Sequence, residues 1–155
     1  MKNITKNSIR ILALILLSAF ACFAQSADQT SLSGKAVVYF YSLSTSTTLG
    51  QIRKPVFLDD LELADIRPER YFIVLVEPGK HSFHLKKKKF GGIEMNFETG
   101  KTYYLRIDWR TGGIVAPAGI TLVEAESGGY DIRQLRPVDE KNIENKEIVF
   151  RELKP

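Results

Sequence analysis

The side chains best suited to chemistry in this sequence are two histidines and a short acidic cluster. His81 and His84 are the only histidines, and Asp59, Asp60 and Glu62 lie close together in the chain. These residue types bind metal ions or exchange protons with a substrate. Apolar and polar residues alternate around the histidines as in a strand, where residues three apart project from opposite faces. The spacing therefore predicts no metal site, with one histidine in a turn and the other facing solvent.

The remaining candidate groups match no catalytic or ion-binding pattern. The acidic cluster lacks the spacing of a calcium loop, and the sequence contains no Gly-x-Ser-x-Gly elbow. The segment Ser33-Gly34-Lys35 lacks the upstream glycine of a phosphate-binding loop. We therefore predict a protein that is not an enzyme and has no catalytic residues, metal or cofactor. The alternative is a small secreted hydrolase whose active site follows no known motif.

A run of four lysines is the candidate contact surface. Its members are Lys86, Lys87, Lys88 and Lys89, followed closely by Gly91-Gly92. Strand alternation would direct two of these lysines toward the core, so we expect the hairpin to extend past the edge of the sheet. One interpretation is a solubilising tip that discourages pairing between sheet edges. The other is a patch that contacts phospholipid headgroups, anionic wall polymer or an acidic envelope protein.

The first 24 residues have the order of a bacterial export signal. Lys2, Lys6 and Arg10 form a basic start that contains no acidic residue. The fourteen residues from Ile11 to Ala24 are then apolar or small, interrupted only by Ser18. Fourteen such residues are too few to span a bilayer comfortably. The order predicts export to the periplasm or the cell exterior.

Two ways of processing this segment remain open. Cleavage after Ala24 would leave Gln25 as the first residue, whereas a lipoprotein would be anchored through Cys22. Cys22 is the only cysteine, so a chain that begins at Gln25 cannot form an internal disulfide. Without the three cations of the segment, 19 basic residues face 18 acidic ones. A nearly neutral domain has no global field for nucleic acid, and we expect no nucleic-acid partner.

The rest of the chain reads as short strands separated by turns. Runs rich in β-branched and aromatic residues favour strands, and they occur at 35–43, 56–58, 61–66, 71–76, 81–87, 93–98, 102–110 and 120–125. Asp59-Asp60 is typical of a two-residue hairpin turn. Pro78-Gly79 predicts a type II turn, and Gly100 predicts a hairpin with a bulge. Seven or eight antiparallel strands of this kind predict an all-β fold, a single sandwich.

Alternation within these runs also predicts which side chains fill the core. The expected core residues are Val74, Phe83, Leu85, Ile93, Phe97, Leu105 and Ile107. Neighbouring aromatics cannot all point inward, so either Phe40 or the pair Tyr39 and Tyr41 faces outward, as does one of Tyr103 and Tyr104. Outward tyrosines either pack beneath loops or across strand pairs, or they form a platform on which glycans or peptides stack.

The C-terminal part has a different composition. Residues 130–135 place Ile132 and Leu135 at helical spacing before Pro137, which favours a short helix. Residues 139–155 are dense in Glu, Lys and Asn, which fits an added helix, an edge strand or a tail. The predicted organisation is a signal at 1–24, a polar lead at 25–34, the sandwich domain at 35–137 and a charged tail at 138–155.

Several segments together resemble a known family. They are AVVYFY, KPVFLDD, ELADIRPERYFIVLVEPGKHSFHL and FETGKTYYLRI, and from about Lys35 to Pro137 the chain is similar to the uncharacterised bacterial domain of unknown function 2846. Pro-Gly-x-His at 78–81 also resembles PEGA-type modules, although the literal Pro-Glu-Gly-Ala is missing. The resemblance implies an exported, carboxypeptidase-regulatory-like β-sandwich and supplies no catalytic residues. We expect a non-catalytic module that acts by contact in the bacterial cell envelope.

The export prediction is tested by the mass of the protein isolated from the cell envelope. Because the apolar segment is short and ends in small residues, we expect the first 24 residues to be missing from the intact mass. A diacylglycerol adduct on Cys22 would instead show the lipoprotein route. A protein that keeps Met1, or that is found only in the cytoplasm, would contradict both.

Overall fold

Runs of β-branched and aromatic residues form the strands of this protein, as seen in a computed structural model that describes residues 34–43, 53–85, 92–108 and 119–153. In chain order the strands are β1 (Ala36–Ser42), β2 (Lys54–Leu58), β3 (Leu61–Ile66), β4 (Arg70–Val76), β5 (Gly79–His84), β6 (Ile93–Phe97), β7 (Thr102–Asp108), β8 (Gly119–Val123), β9 (Arg136–Pro137) and β10 (Val149–Phe150). One helix, α1 (Ala125–Ile132), follows β8. The strands predicted from sequence are all present, and most bounds differ by one or two residues.

The strands pair into two sheets. Sheet A has the order β10-β4-β1-β7-β8, with β9 also paired to β4, and sheet B has the order β3-β2-β5-β6. The predicted all-β, sandwich-like fold with one short helix is thereby confirmed. One detail differs, because β1 and β7 pair in parallel at the centre of sheet A. No hairpin joins these two strands, so local turn geometry does not dictate their relative direction.

The core lies between the inner faces of the two sheets. Of the predicted core residues, only Ile93 is partly exposed, and it packs against the buried cluster. Phe40 is fully buried, and its ring centroid lies 5.7 Å from that of Phe83 in the other sheet. Phe83 in turn contacts Phe97, whose ring lies 5.0 Å from the Tyr103 ring of sheet A. Aromatic contacts therefore cross the core between the sheets more than once.

Three tight turns connect successive strands. Asp59-Asp60 connects the paired residues Leu58 and Leu61, which confirms the two-residue hairpin. Asp59 has a positive φ of 55°, a conformation that short polar side chains tolerate better than most. Gly79 and Gly100 have φ values of 132° and 71°, as glycine permits. The hairpin predicted at Gly100 is wrong, since this turn carries the chain from β6 in sheet B to β7 in sheet A.

The helix begins earlier than its sequence pattern indicates. It covers Ala125–Ile132 instead of residues 130–135, and it includes the poor helix former Gly128. A Cβ atom at Gly128 would lie 2.3 Å from the Tyr104 ring, so only glycine allows the helix to lie against β7 at this point. Tertiary packing therefore outweighs local helix propensity here.

The charged C-terminal segment packs on the sandwich and forms an edge strand. Val138, Ile143 and Val149 are buried in the core cluster, and β10 pairs with β4. Among the alternatives for residues 139–155, the edge strand is the one observed, together with a short 3₁₀ turn at Glu140–Asn142. None of the helices in the described ranges is long and apolar enough to cross a membrane.

The assignment of the core is tested at Leu105. Leu105 is fully buried, whereas its cross-strand partner Leu122 is 47% exposed. We expect Leu105→Ala to lower the free energy of unfolding by about 2–5 kcal/mol, because it leaves a cavity between the sheets. Leu122→Ala is the matched control, with an expected change of at most about 0.5 kcal/mol. Paired residues share a face of the sheet, so the two variants differ in burial alone, and equal losses in chemical denaturation would contradict the difference in burial described here.

Candidate functional site

The predicted contact patch falls in a connection between two strands. Lys86–Lys89 follow the buried Leu85 at the end of β5 and precede β6, and they lie outside the described residues. The structure therefore leaves the lysine run as a prediction from sequence. The remaining predicted groups, the histidines and the acidic cluster, lie within the described ranges.

His84 is buried, so the prediction that it faces solvent is wrong. Only 1% of the residue is exposed, and its ring stacks on Phe57 with centroids 5.3 Å apart. Its Nε2 donates a hydrogen bond to the main-chain carbonyl of Asp59. The turn between β2 and β3 thus supplies the polar partner that a buried imidazole requires. Alternation along β5 could not reveal this partner, because it comes from a neighbouring strand pair.

His81 and Ser82 both bind the carboxylate of Asp59. The Nδ1–H of His81 donates to Oδ2 over 2.7 Å, and the Ser82 amide donates to Oδ1 over 2.9 Å. The Ser82 hydroxyl lies 3.3 Å from the same Oδ1, and the Asp59 amide donates to the Ser82 carbonyl. A catalytic triad would need the serine on the imidazole, opposite the carboxylate. Here serine and histidine both bind the carboxylate, which connects the hairpin turn to β5.

The electrostatics of Asp59 follow from these bonds. Partial burial alone would raise the pKa of its carboxyl, but the hydrogen bonds from His81 and Ser82 lower it below its ordinary value. The ionised form is therefore the one that holds the turn. In the described part of the chain, no three His, Cys, Asp or Glu side chains are grouped so as to hold a metal ion.

A cleft lined by described residues lies at one end of sheet A. Its volume is about 650 Å³, within the range of small-molecule sites. It lies between the end of β1, the start of β4, the end of α1 and β9. We call it the arginine cleft, and its lining residues are Leu43, Glu69, Arg70, Asp131, Gln134, Leu135 and Arg136.

Two arginines lie side by side in this cleft. Arg70 and Arg136 are direct partners in the parallel pair of β4 and β9. Like charges at paired positions of a sheet repel each other. Burial lowers the pKa of the Arg70 guanidinium, and the neighbouring charges of Arg67 and Arg136 lower it further, against the opposing charge of Asp139. The cleft therefore concentrates positive charge at its β4 wall.

The turn before β4 holds the arginines in place. Glu69 follows Pro68 and has a φ of 60°, a left-handed conformation that costs roughly 1–2 kcal/mol for a residue with a Cβ. Its carbonyl accepts a 2.9 Å hydrogen bond from Nη1 of Arg70 and a longer one from the amide of Arg136. Its amide donates to the Ser42 carbonyl at the end of β1. The strained residue thus connects both arginines to the central strand.

The cleft also contains acidic groups, one of which is already engaged. Asp131, in the last turn of α1, accepts a 2.8 Å hydrogen bond from the buried hydroxyl of Tyr41. Burial raises the pKa of Tyr41, and this hydrogen bond raises it further. Tyr41 therefore stays protonated and donates to Asp131 at any ordinary pH. The bond fixes the end of the helix over sheet A.

Sequence reasoning missed the residues of this cleft. Arg70 belongs to the segment RPER at 67–70, and Arg136 to RQLRP at 133–137. Each segment places arginines beside a proline, which was the available signal of a basic turn. The two segments are far apart in the chain, and only the pairing of β9 with β4 brings them together.

The outward tyrosines pack on each other. Phe40 faces the core, whereas Tyr39 projects from the other face and stacks on Tyr104 of β7, with ring centroids 5.1 Å apart and planes at 12°. The interpretation that outward tyrosines pack across strand pairs is thereby confirmed for this pair. Packing of this kind stabilises the parallel pair of β1 and β7.

The role of Asp59 is tested by the pH dependence of stability. Because the folded-state pKa is lowered, the stabilisation is complete above the unfolded value near 3.8 and is lost as the pH falls through the folded value. We expect Asp59→Asn to reduce the free energy of unfolding at pH 7, with a smaller difference from wild type below pH about 4. Glu144→Gln, at an exposed carboxylate, is the control. A difference that does not depend on pH would contradict this role.

Comparison with known proteins places the chain in a family. The family described as a protein of unknown function (DUF2846) matches residues 32–120, which are β1 to the start of β8. The match ends before α1 and β9, earlier than the resemblance over residues 35–137 implied. No curated protein and no solved structure matches the chain. With more than half of its residues matched, the chain belongs to the DUF2846 family.

Proposed function

We propose that this protein is an exported module that acts in the bacterial cell envelope by non-covalent contact with an anionic component, without catalysis. The observation that carries the proposal is that the Asp59 carboxylate is engaged in structural hydrogen bonds. This carboxylate lies beside both a histidine and a serine, and its hydrogen bonds hold a turn against β5. The best-placed proton-transfer groups of the described residues thus serve the fold, and the basic groups remain for binding.

The proposed export of the protein is supported by its N-terminal sequence. A basic start, a short apolar segment and small residues before position 25 are typical of an exported chain. An all-β sandwich with a filled core suits that destination, because the described residues build this core without a disulfide. Both cleavage after Ala24 and lipid attachment at Cys22 deliver the domain to the envelope.

The lysine run is the surface that we assign to the anionic contact. Lys86–Lys89 supply four positive charges in one connection of sheet B, whereas the chain without its first 24 residues is nearly neutral. Each lysine close to an anionic membrane contributes on the order of 1 kcal/mol. Four are sufficient for weak binding that salt screens. Phospholipid headgroups, wall polymer and an acidic envelope protein all present the required charge.

Sedimentation with anionic vesicles and with purified cell wall tests this assignment. We expect binding at low salt that falls as the salt concentration rises, and that is lost when Lys86–Lys89 are all replaced by glutamine. The matched control removes four exposed lysines elsewhere, at positions Lys80, Lys101, Lys141 and Lys146. This control changes the net charge equally and should keep most of the binding.

Two results would contradict the assignment. One is an absence of binding to both vesicles and cell wall at low salt. The other is an equal loss in the control variant, which would show that net charge alone is responsible. Binding to only one of the two materials would identify the anionic component.

A further inference from the structure

The arginine cleft contains two like charges on neighbouring strands. It also contains a hydrogen-bond donor that has no partner among the described residues. Arg70 and Arg136 occupy paired positions on β4 and β9, and both line the cleft. The Nε atom of Arg70 is buried and has no hydrogen-bond partner among the described residues. A buried guanidinium nitrogen without a partner is unfavourable, and an acceptor atom placed beside it removes that cost.

The orientation of Arg70 suits an oxyanion. Its Nη1 donates to the Glu69 carbonyl, which fixes one side of the planar guanidinium. The opposite edge contains Nε, and this edge binds carboxylate and phosphate oxygens through parallel N–H groups. Glu69 holds the guanidinium from a left-handed conformation that is rare for this residue type. Strain of this kind concentrates at ligand-binding turns.

The remaining lining constrains the molecule that carries the anion. Leu43 and Leu135 contribute apolar surface, while Gln134 and Asp131 contribute polar atoms on the wall formed by α1 and the turn after it. The volume of about 650 Å³ accommodates a small molecule or the end of a larger one. The acidic Asp131 disfavours a ligand that is anionic throughout, because its carboxylate would repel a second negative group.

We infer that the arginine cleft is a binding site for a single carboxylate or phosphate group carried on a small polar molecule, with Arg70 and Arg136 as the residues that bind the oxyanion. This site goes beyond the proposed contact function, since it does not involve the lysine run. It uses residues from within the matched family segment, such as Arg70, and residues after that segment, such as Arg136.

Amide NMR titration of the full-length protein tests the inference. Inorganic phosphate and acetate are added separately at low ionic strength. We expect saturable shifts for the amides of Glu69, Arg70 and Arg136 with at least one probe. Saturation by phosphate alone identifies phosphate chemistry, and saturation by acetate alone identifies carboxylate chemistry.

Substitutions separate a forked hydrogen bond from simple charge attraction. Arg70→Lys keeps the charge but removes the Nε donor, and we expect it to weaken the affinity roughly tenfold. Arg136→Gln should weaken the affinity to a similar extent, and its exposed position makes the fold insensitive to the change. Arg133→Gln is the matched control, because Arg133 is an exposed arginine near the same helix end and lies over the Tyr130 ring outside the cleft lining.

The variant with glutamine at positions 86–89 distinguishes this site from the lysine run. It should bind the small probes within about twofold of wild type, since none of the four lysines is among the residues that line the cleft. The inference is overturned if neither probe gives saturable shifts in these amides. It is also overturned if Arg70→Lys and Arg136→Gln bind as wild type does, or if Arg133→Gln loses as much affinity as they do.

Discussion

The contact of Phe40 with Phe83 is the interaction on which the rest of the fold depends. It joins the central strand of sheet A to a central strand of sheet B, with ring centroids 5.7 Å apart and both side chains fully buried. Phe72 stacks on Phe40 from β4, so the same aromatic group also fixes the neighbouring strand. Since the described chain contains no disulfide, its stability depends on burying these rings. Loss of this contact would leave a cavity at the centre of the core, between the inner faces of the two sheets.

Because Phe40 faces the core, its neighbours on β1, Tyr39 and Tyr41, face the other side of sheet A. Their contacts position the helix on that outer face. Tyr39 stacks on Tyr104, and Tyr41 reaches the end of α1 through Asp131. Gly128 lets the helix lie directly against the Tyr104 ring. The helix in turn positions the following residues so that β9 pairs with β4. The location of the arginine cleft therefore depends on how the helix packs on the outer face of sheet A. The core affects it only by fixing which side chains of β1 face outward.

Two groups of polar side chains show that residue type alone does not reveal the role of a residue. Asp59, His81 and Ser82 have the composition of a catalytic triad, but their hydrogen bonds connect a hairpin turn to β5. Arg70 and Arg136 belong to no motif, yet they lie side by side in the lining of a cleft. Residue type thus indicates what chemistry is available, while the hydrogen-bond partners of each side chain show whether the fold already uses it.

Local sequence patterns were sufficient to predict the main strands, a central part of the core and the turn at Asp59-Asp60, because these depend on neighbours within a few residues. Alternation predicted the core side chains correctly except for Ile93, which is only partly buried, and the Asp59-Asp60 turn formed as a two-residue hairpin. Contacts between distant segments account for the parallel pairing of β1 with β7, the burial of His84 and the pairing of Arg70 with Arg136. Each of these joins segments that are distant in the chain, and no local pattern encodes which distant segment will supply a partner. The helix shows the same limit, since Gly128 disfavours a helix locally and is required only because the Tyr104 ring of a distant strand lies against it.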